Sequence, residues 1–142
     1  MQPNPKTTNI ILYCREWDKT VRFYRDQLHL TATFVTDWFV EFRLNAVSML
    51  SIADEKRSTV KSCGGRGVTL ALEVDDIRAL REYVLKNGLQ PTAIRKHPWD
   101  AWVFHLFDPE GHRLEIWQAR ASGEAREQGA IQPGPAGAPA AP

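Results

Sequence analysis

The sequence predicts an α+β chain built from two copies of a βαβββ unit. Three observations carry this. Two stretches resemble each other at an offset of about sixty residues, as in an internal repeat. Each copy contains an apolar stripe at helical spacing on an otherwise charged segment. Each stripe is followed by three strand-like runs separated by turn residues.

The first copy opens with Asn9-Ile10-Ile11-Leu12-Tyr13-Cys14-Arg15-Glu16. The second opens with Thr69-Leu70-Ala71-Leu72-Glu73-Val74-Asp75-Asp76. Such β-branched and apolar runs read as strands. Both end in acids that can cap a helix: Glu16 or Asp18 in the first, Asp75 or Asp76 in the second. Trp17, Val21, Tyr24 and Leu28 then recur at spacings of four, three and four, and Ile77, Leu80 and Val84 repeat the pattern. Gly88 is placed to end the second helix. In the first copy, residues 31–35, 38–44 and 47–52 read as strands, with a tight turn at Asn45-Ala46. In the second, the strands are expected at 90–95, 101–107 and 113–118, with Asp108-Pro109-Glu110-Gly111 supplying the last turn. The linker from Ala53 to Gly67 is charged and then glycine-rich.

The boundaries follow from composition. The folded part is expected at residues 1–118, as modules 8–53 and 67–118. Residues 119–142 are rich in Ala, Gly, Pro, Glu and Gln, with Ile131 the one large apolar side chain. Such a stretch buries too little apolar surface to offset its ordering entropy. A short helix over 119–129 is open, and 133–142 is expected to be disordered. The formal charge of +1 leaves no basic field for nucleic acid. No apolar run approaches the roughly 20 residues that cross a bilayer. Met1 to Thr8 is polar and holds two prolines, so it does not read as a secretion signal. The expectation is a cytoplasmic protein whose two cysteines, Cys14 and Cys63, stay unpaired.

Two segments carry a family resemblance. Arg22-Phe23-Tyr24-Arg25-Asp26-Gln27-Leu28-His29-Leu30 is similar to a helix end of the glyoxalase/bleomycin-resistance/dioxygenase proteins, the vicinal oxygen chelate superfamily. Phe107-Asp108-Pro109-Glu110-Gly111-His112-Arg113-Leu114-Glu115-Ile116 resembles the closing hairpin of that family. The resemblance implies that the modules form a curled mixed sheet around one ligand cavity, and that the chain forms a homodimer. It does not fix function. The family holds isomerases, lyases, epimerases, extradiol dioxygenases, fosfomycin-inactivating transferases and metal-free proteins that sequester antibiotics.

The resemblance also implies where a metal would be held, on the first and last strands of each module. Those positions fall on Asn9, Thr69, Glu115 and about Leu50. Only Glu115 matches the usual His, Gln and Glu set. Asn and Thr are weak neutral ligands and Leu is none. No cofactor is therefore expected, a divalent metal in an altered site held by Glu115 being the alternative.

Glu115 shares one strand face with Arg113 and Trp117, and Leu114 shares the other with Ile116. Pattern alone would put Leu114 and Ile116 in the core and Glu115 in water. The resemblance places the Leu/Ile face under the helices and turns Glu115 toward a ligand. Counted around the turn, His105 falls opposite Glu115, where the two side chains meet. Fosfomycin-resistance members place a ligand-contacting polar residue there. The pair reads either as a general base or as a hydrogen bond that satisfies a buried carboxyl group. His112 has the opposite parity to Glu115, His29 ends a helix, and His97 sits before Pro98 at a possible pocket mouth.

Aromatic residues are the remaining signal. Trp38, Trp102, Phe107 and Trp117 are candidates to line a pocket for a flat, partly apolar molecule, the other aromatics being left to the core. Arg43, Arg95 and Arg113 are placed to pair with a carboxylate or phosphate on that molecule. Two functions stay open. The first is a small-molecule binder without the family's metal centre, contacting Asn9, Thr69, Trp38, Leu50, Trp102, Phe107, Arg113 and Trp117. The second is a lyase, isomerase or dioxygenase using Glu115 and His105.

Overall fold

In a computed structural model the described residues are 1–119. The tail helix and the disorder expected further on lie outside them. The elements run β1 (Thr8–Cys14), α1 (Trp17–Arg22), a π-helical turn (Phe23–Gln27), β2 (Thr31–Val35), β3 (Phe39–Asn45) and β4 (Ser48–Asp54). A short 3₁₀ turn (Glu55–Arg57) precedes β5 (Thr69–Glu73), α2 (Ile77–Lys86), β6 (Arg95–His97), β7 (Ala101–Phe107) and β8 (Arg113–Ala119). The chain is α+β, with two βαβββ modules. Each module forms one four-stranded mixed sheet, ordered β1-β4-β3-β2 in the first and β5-β8-β7-β6 in the second. The outer pairs β1/β4 and β5/β8 are parallel, and the other neighbours are antiparallel.

Two compact units result. One comprises Met1–Arg66 together with the turn Asp108–Gly111; the other comprises Gly67–Phe107 and, of the described residues, 112–119. The core of the first unit is built from Leu12, Cys14, Val21, Tyr24, Phe42, Leu50 and Ile52, all at most 4% exposed. That of the second is Leu70, Ile77, Val84, Phe104, Leu106, Leu114 and Ile116, all at most 5% exposed. Each fully buried side chain of this size contributes about 1.5–3 kcal/mol.

Local departures from the sequence pattern have identifiable causes. The first helix is α-helical only to Arg22, and its wider continuation carries successive rings, Phe23 and Tyr24, into the core edge to face, 4.9 Å apart. His29 closes it at φ 57°, in the left-handed region. Glu16 does not cap α1 with its side chain; it pairs with Lys19 instead. Asp76 does cap α2, accepting from Ala79 N at 3.0 Å. Gly88 (φ 84°) ends α2 as expected, with Gly88 N donating to Leu85 O and Leu89 N to Val84 O. The sixth strand covers Arg95–His97 rather than the stretch from Gln90. Pro91 has no N–H to donate, and His105 N donates to the Thr92 hydroxyl rather than to a backbone carbonyl. The first hairpin turns at Ala46-Val47, one residue later than expected, with an irregularity between Arg43 and Asn45.

Candidate functional site on the second sheet

The second sheet sorts its side chains by parity. Leu70, Leu106, Leu114, Ile116 and Phe104 lie on the face that packs against α2. On the opposite face, register places Thr69, Arg113 and Phe107 in one row. Ala71, Glu115 and His105 form the next, and Glu73, Trp117, Val103 and Arg95 the third.

Glu115 dominates this face. Its side chain is 2% exposed, and its Oε1 lies 3.0 Å from His105 Nε2. Its Oε2 is buried with no hydrogen-bond partner among the described residues. Leaving a buried polar atom unpaired costs about 1–3 kcal/mol, so natural structures rarely keep one without a reason. His105 is 29% exposed. It therefore links a buried carboxyl group to open space. That space is a cavity of about 430 Å³, lined by Thr92, Ala93, Arg95, Lys96, His97, Pro98, Val103 and His105. In the neighbouring row Arg113 Nε donates to Thr69 Oγ1 at 3.0 Å.

The expected His105–Glu115 pairing is thus present without a bulge, and Arg113, Phe107 and Trp117 share its face. Trp102 does not. It pairs with Gln118 and Lys96 on the helix side, where the Arg78 guanidinium lies 5.8 Å from its ring centre. Trp38 belongs to the first unit, packed edge to face on Phe39 with Arg57 over its ring. His97, expected in a loop, stands in β6 and lines the cavity. His112 is buried beside the turn, off the Glu115 face.

Leu50 requires correction. It is a core residue, 1% exposed, on the opposite parity. The residue paired with Glu41 and Ile11, as Glu115 pairs with His105 and Ala71, is Ser51. Asn9 is on the same face as Ser51. The Ser51 hydroxyl donates to Asn9 Oδ1 at 2.8 Å, Asn9 Nδ2 donates to Glu41 Oε2 at 3.3 Å, and the Thr33 hydroxyl donates to Glu41 Oε1 at 2.8 Å. Both oxygens of Glu41 are therefore engaged. Ser51, Glu41 and Thr33 carry no motif and were not legible as a group.

A second polar centre lies at the turn Asp108–Gly111. Asp108 Oδ1 accepts from Glu110 N and Gly111 N, both at 3.0 Å, and Asp108 Oδ2 accepts from the Tyr24 hydroxyl at 2.8 Å. The Glu110 carboxylate accepts from Arg15 N at 2.9 Å, from Glu16 N at 2.8 Å and from the Ser62 hydroxyl. Burial works to raise the Glu110 pKa, but the hydrogen bonds from Ser62, Arg15 and Glu16 outweigh it and hold the carboxyl below its usual range. Burial, then the charges of Glu110 and Asp108, push the Cys14 thiol well above the ordinary thiol range. Cys14 is thereby kept from nucleophilic chemistry.

A divalent metal, which the family implies, does not fit the residues present. Among the described residues no three His, Cys, Asp or Glu side chains converge. Glu115 has His105 as its neighbour, and the Arg113 guanidinium occupies the adjoining row. A cation there would meet one carboxyl oxygen and a fixed positive charge, which is not a transition-metal donor set.

The sequence matches the model of the Glyoxalase/Bleomycin resistance protein/Dioxygenase superfamily over residues 7–116. The chain belongs to that superfamily. Its fold is similar to a glyoxalase/bleomycin resistance protein/dioxygenase from Nocardioides, with a TM-score of 0.72, 21% identity, and coverage of 87% of this chain and 89% of that one. It is also similar to TnmS3, an antibiotic binding protein from Streptomyces sp. CB03234, with a TM-score of 0.69, 16% identity, and coverage of 84% and 99%. The bleomycin resistance determinant encoded on transposon Tn5 gives a TM-score of 0.64, 19% identity, and coverage of 80% and 97%. No curated protein matches the chain. Among the described residues no helix is long and apolar enough to cross a membrane.

Proposed function

We propose that the protein binds a small, partly aromatic or apolar molecule on the Glu115 face of the second sheet, without the family's metal centre. One observation carries this reading. A carboxyl group that is almost wholly buried keeps Oε2 without a hydrogen-bond partner among the described residues, while its other oxygen is joined to a half-buried histidine lining a cavity. Binding sites commonly combine concavity, apolar walls and a few fixed polar groups. Val103, Phe107 and Trp117 supply apolar surface on this face, and His105, Glu115, Thr69 and Arg113 the polar groups. Superfamily members named for antibiotic binding and bleomycin resistance support the same reading. The active species is a homodimer in this proposal, which sedimentation would check.

The test is a thermal-shift screen of small aromatic molecules, followed by calorimetry on the wild type and His105→Ala. Hits should weaken by about tenfold or more on losing His105, as expected for a hydrogen bond made in a buried site. Near-stoichiometric metal in protein purified without chelator, absent from Glu115→Ala, would overturn the metal-free part of the proposal.

A second reading is favoured by the same unbonded oxygen. Glu115 and His105 could serve as acid and base in a lyase, isomerase or dioxygenase, since an imidazole joined to a carboxyl group is a recurring proton-transfer arrangement. Turnover of a bound hit, abolished in Glu115→Gln while binding persists, would favour the enzyme.

A further inference from the structure

The cavity beside His105 has a one-sided electrostatic character. Of its eight lining residues, Arg95 and Lys96 are cations, His97 and His105 are imidazoles, and none is acidic. Arg95 and Lys96 take part in none of the ion pairs among the described residues. This contrasts with Arg22, Arg25 and Arg57, each of which has a carboxylate partner.

Backbone geometry fixes these groups in place. Arg95 pairs with Val103 and His97 with Ala101, so both project on the face that carries His105 and Glu115. The three-residue connection Pro98-Trp99-Asp100 closes the β6–β7 hairpin, with Asp100 N donating to His97 O and Asp100 in the left-handed region at φ 63°. Within this hairpin, His97 Nδ1 is buried with no partner among the described residues, and so is the indole Nε1 of Trp99. The indole nitrogen can only donate. Among the described residues, Arg95 without an ion pair and a buried indole nitrogen without a partner place donors without acceptors on one short hairpin.

We propose that the molecule bound at this site carries an acidic oxyanion group, a carboxylate or a phosphate, seated between Arg95 and His97. The inference rests on the small-molecule reading above and narrows it to a class of ligand. Arginine offers a planar pair of N–H groups to two oxygens of such a group. The remainder of the ligand extends past Val103 toward His105, which joins it to Glu115. A single cavity of about 430 Å³ accommodates a one-ring acid.

Calorimetry with four matched one-ring probes tests this: benzoate, phenyl phosphate, neutral benzamide and cationic benzylamine. Each is titrated into the full chain at low and moderate salt. The expected result is a Kd for at least one of the two anions that is about tenfold or more below that of benzamide, with benzylamine weaker still. The anion affinity should fall with added salt. Arg95→Gln should raise the anion Kd by about tenfold and leave that of benzamide unchanged, because only the charge-assisted contact is lost. Arg25→Gln, at an exposed ion pair with Asp26, should change neither. Preference for benzoate over phenyl phosphate, or the reverse, identifies the oxyanion. Benzamide binding as tightly as the anions, or an anion preference that survives Arg95→Gln, overturns the acidic-ligand inference and leaves the small-molecule reading standing. Failure of all four probes at millimolar concentration overturns both.

Discussion

The Tyr24 hydroxyl donates to the Asp108 carboxylate at 2.8 Å, so the two segments that carry the family resemblance touch each other. Tyr24 is fully buried and Asp108 is 4% exposed, and the other Asp108 oxygen already accepts two amides of its own turn. Removing the hydroxyl takes one donor from a buried carboxyl group and creates almost no cavity. Tyr24→Phe is therefore expected to lower unfolding free energy by about 1–3 kcal/mol, measured by urea denaturation. A loss below about 0.5 kcal/mol would show that water replaces the phenol at no net cost.

Glu110 gives the fold a pH dependence of defined sign. Hydrogen bonds from Ser62, Arg15 N and Glu16 N prevail over burial and hold its folded pKa below the unfolded value. Its contribution is fully present above the unfolded pKa, about 4.3, and is lost as pH falls through the lower folded value. Glu110→Gln should destabilise by about 1–2 kcal/mol near neutrality. The gap from wild type should shrink steadily below pH about 4. Thermal melts across pH 2–8, a range chosen to span about both values, read this directly. A gap that stays constant into acid would mean that the charge of Glu110 is not what its partners recognise.

Gly111 admits no side chain. It sits at φ 107°, and a Cβ there would come within 2.6 Å of the Gly64 carbonyl oxygen, which is backbone and cannot swing aside. Gly67 has a comparable φ of 79° but nothing within 4 Å of the same position. The pair separates backbone strain from collision. Gly67→Ala should cost about 1 kcal/mol from the left-handed conformation alone. Gly111→Ala should cost roughly 2–3 kcal/mol more, because the collision adds to the strain. Equal losses in denaturant melts would remove the contact with Gly64 as a determinant of the turn.

What the sequence made legible follows from the range of the signal. The helix stripes recur in both modules, and the Asp76 cap and the Gly88 stop are local signals, so the element order could be read directly. The His105–Glu115 pairing was also legible, because the Asp108–Gly111 turn sets a regular register through all seven pairs of β7 and β8. Leu50 was misplaced for the opposite reason. The turn falls at Ala46-Val47 instead of Asn45-Ala46, and the irregularity between Arg43 and Asn45 shifts the β3–β4 register by one; together they bring Ser51, not Leu50, opposite Glu41. Trp102 falls on the helix side by the same two-residue period that puts Phe104 in the core. The role of Glu110 was out of reach, since its partners Arg15 and Glu16 are more than ninety residues away in sequence. Arg95 and His97 were legible singly as ligand-site candidates, but not their common cavity, whose walls meet only once β6 has paired with β7.

Glu115 offers the sharpest separation of stability from function. A carboxyl group with one oxygen unbonded, at a position where its side chain is 2% exposed, opposes folding rather than favouring it. Methionine has a similar length and no polar oxygen. Glu115→Met should therefore raise unfolding free energy by about 1–2 kcal/mol, because it removes the buried oxygen that has no partner among the described residues while His105, 29% exposed, can turn to water. The same substitution should remove ligand binding as completely as His105→Ala. Glu115→Gln, which retains an oxygen for His105, should fall between the two in both measurements. Urea melts and calorimetry on the three proteins decide the matter. A methionine variant that is less stable than wild type yet binds ligand unchanged would make Glu115 a structural partner of His105 and move the recognition chemistry elsewhere on the sheet.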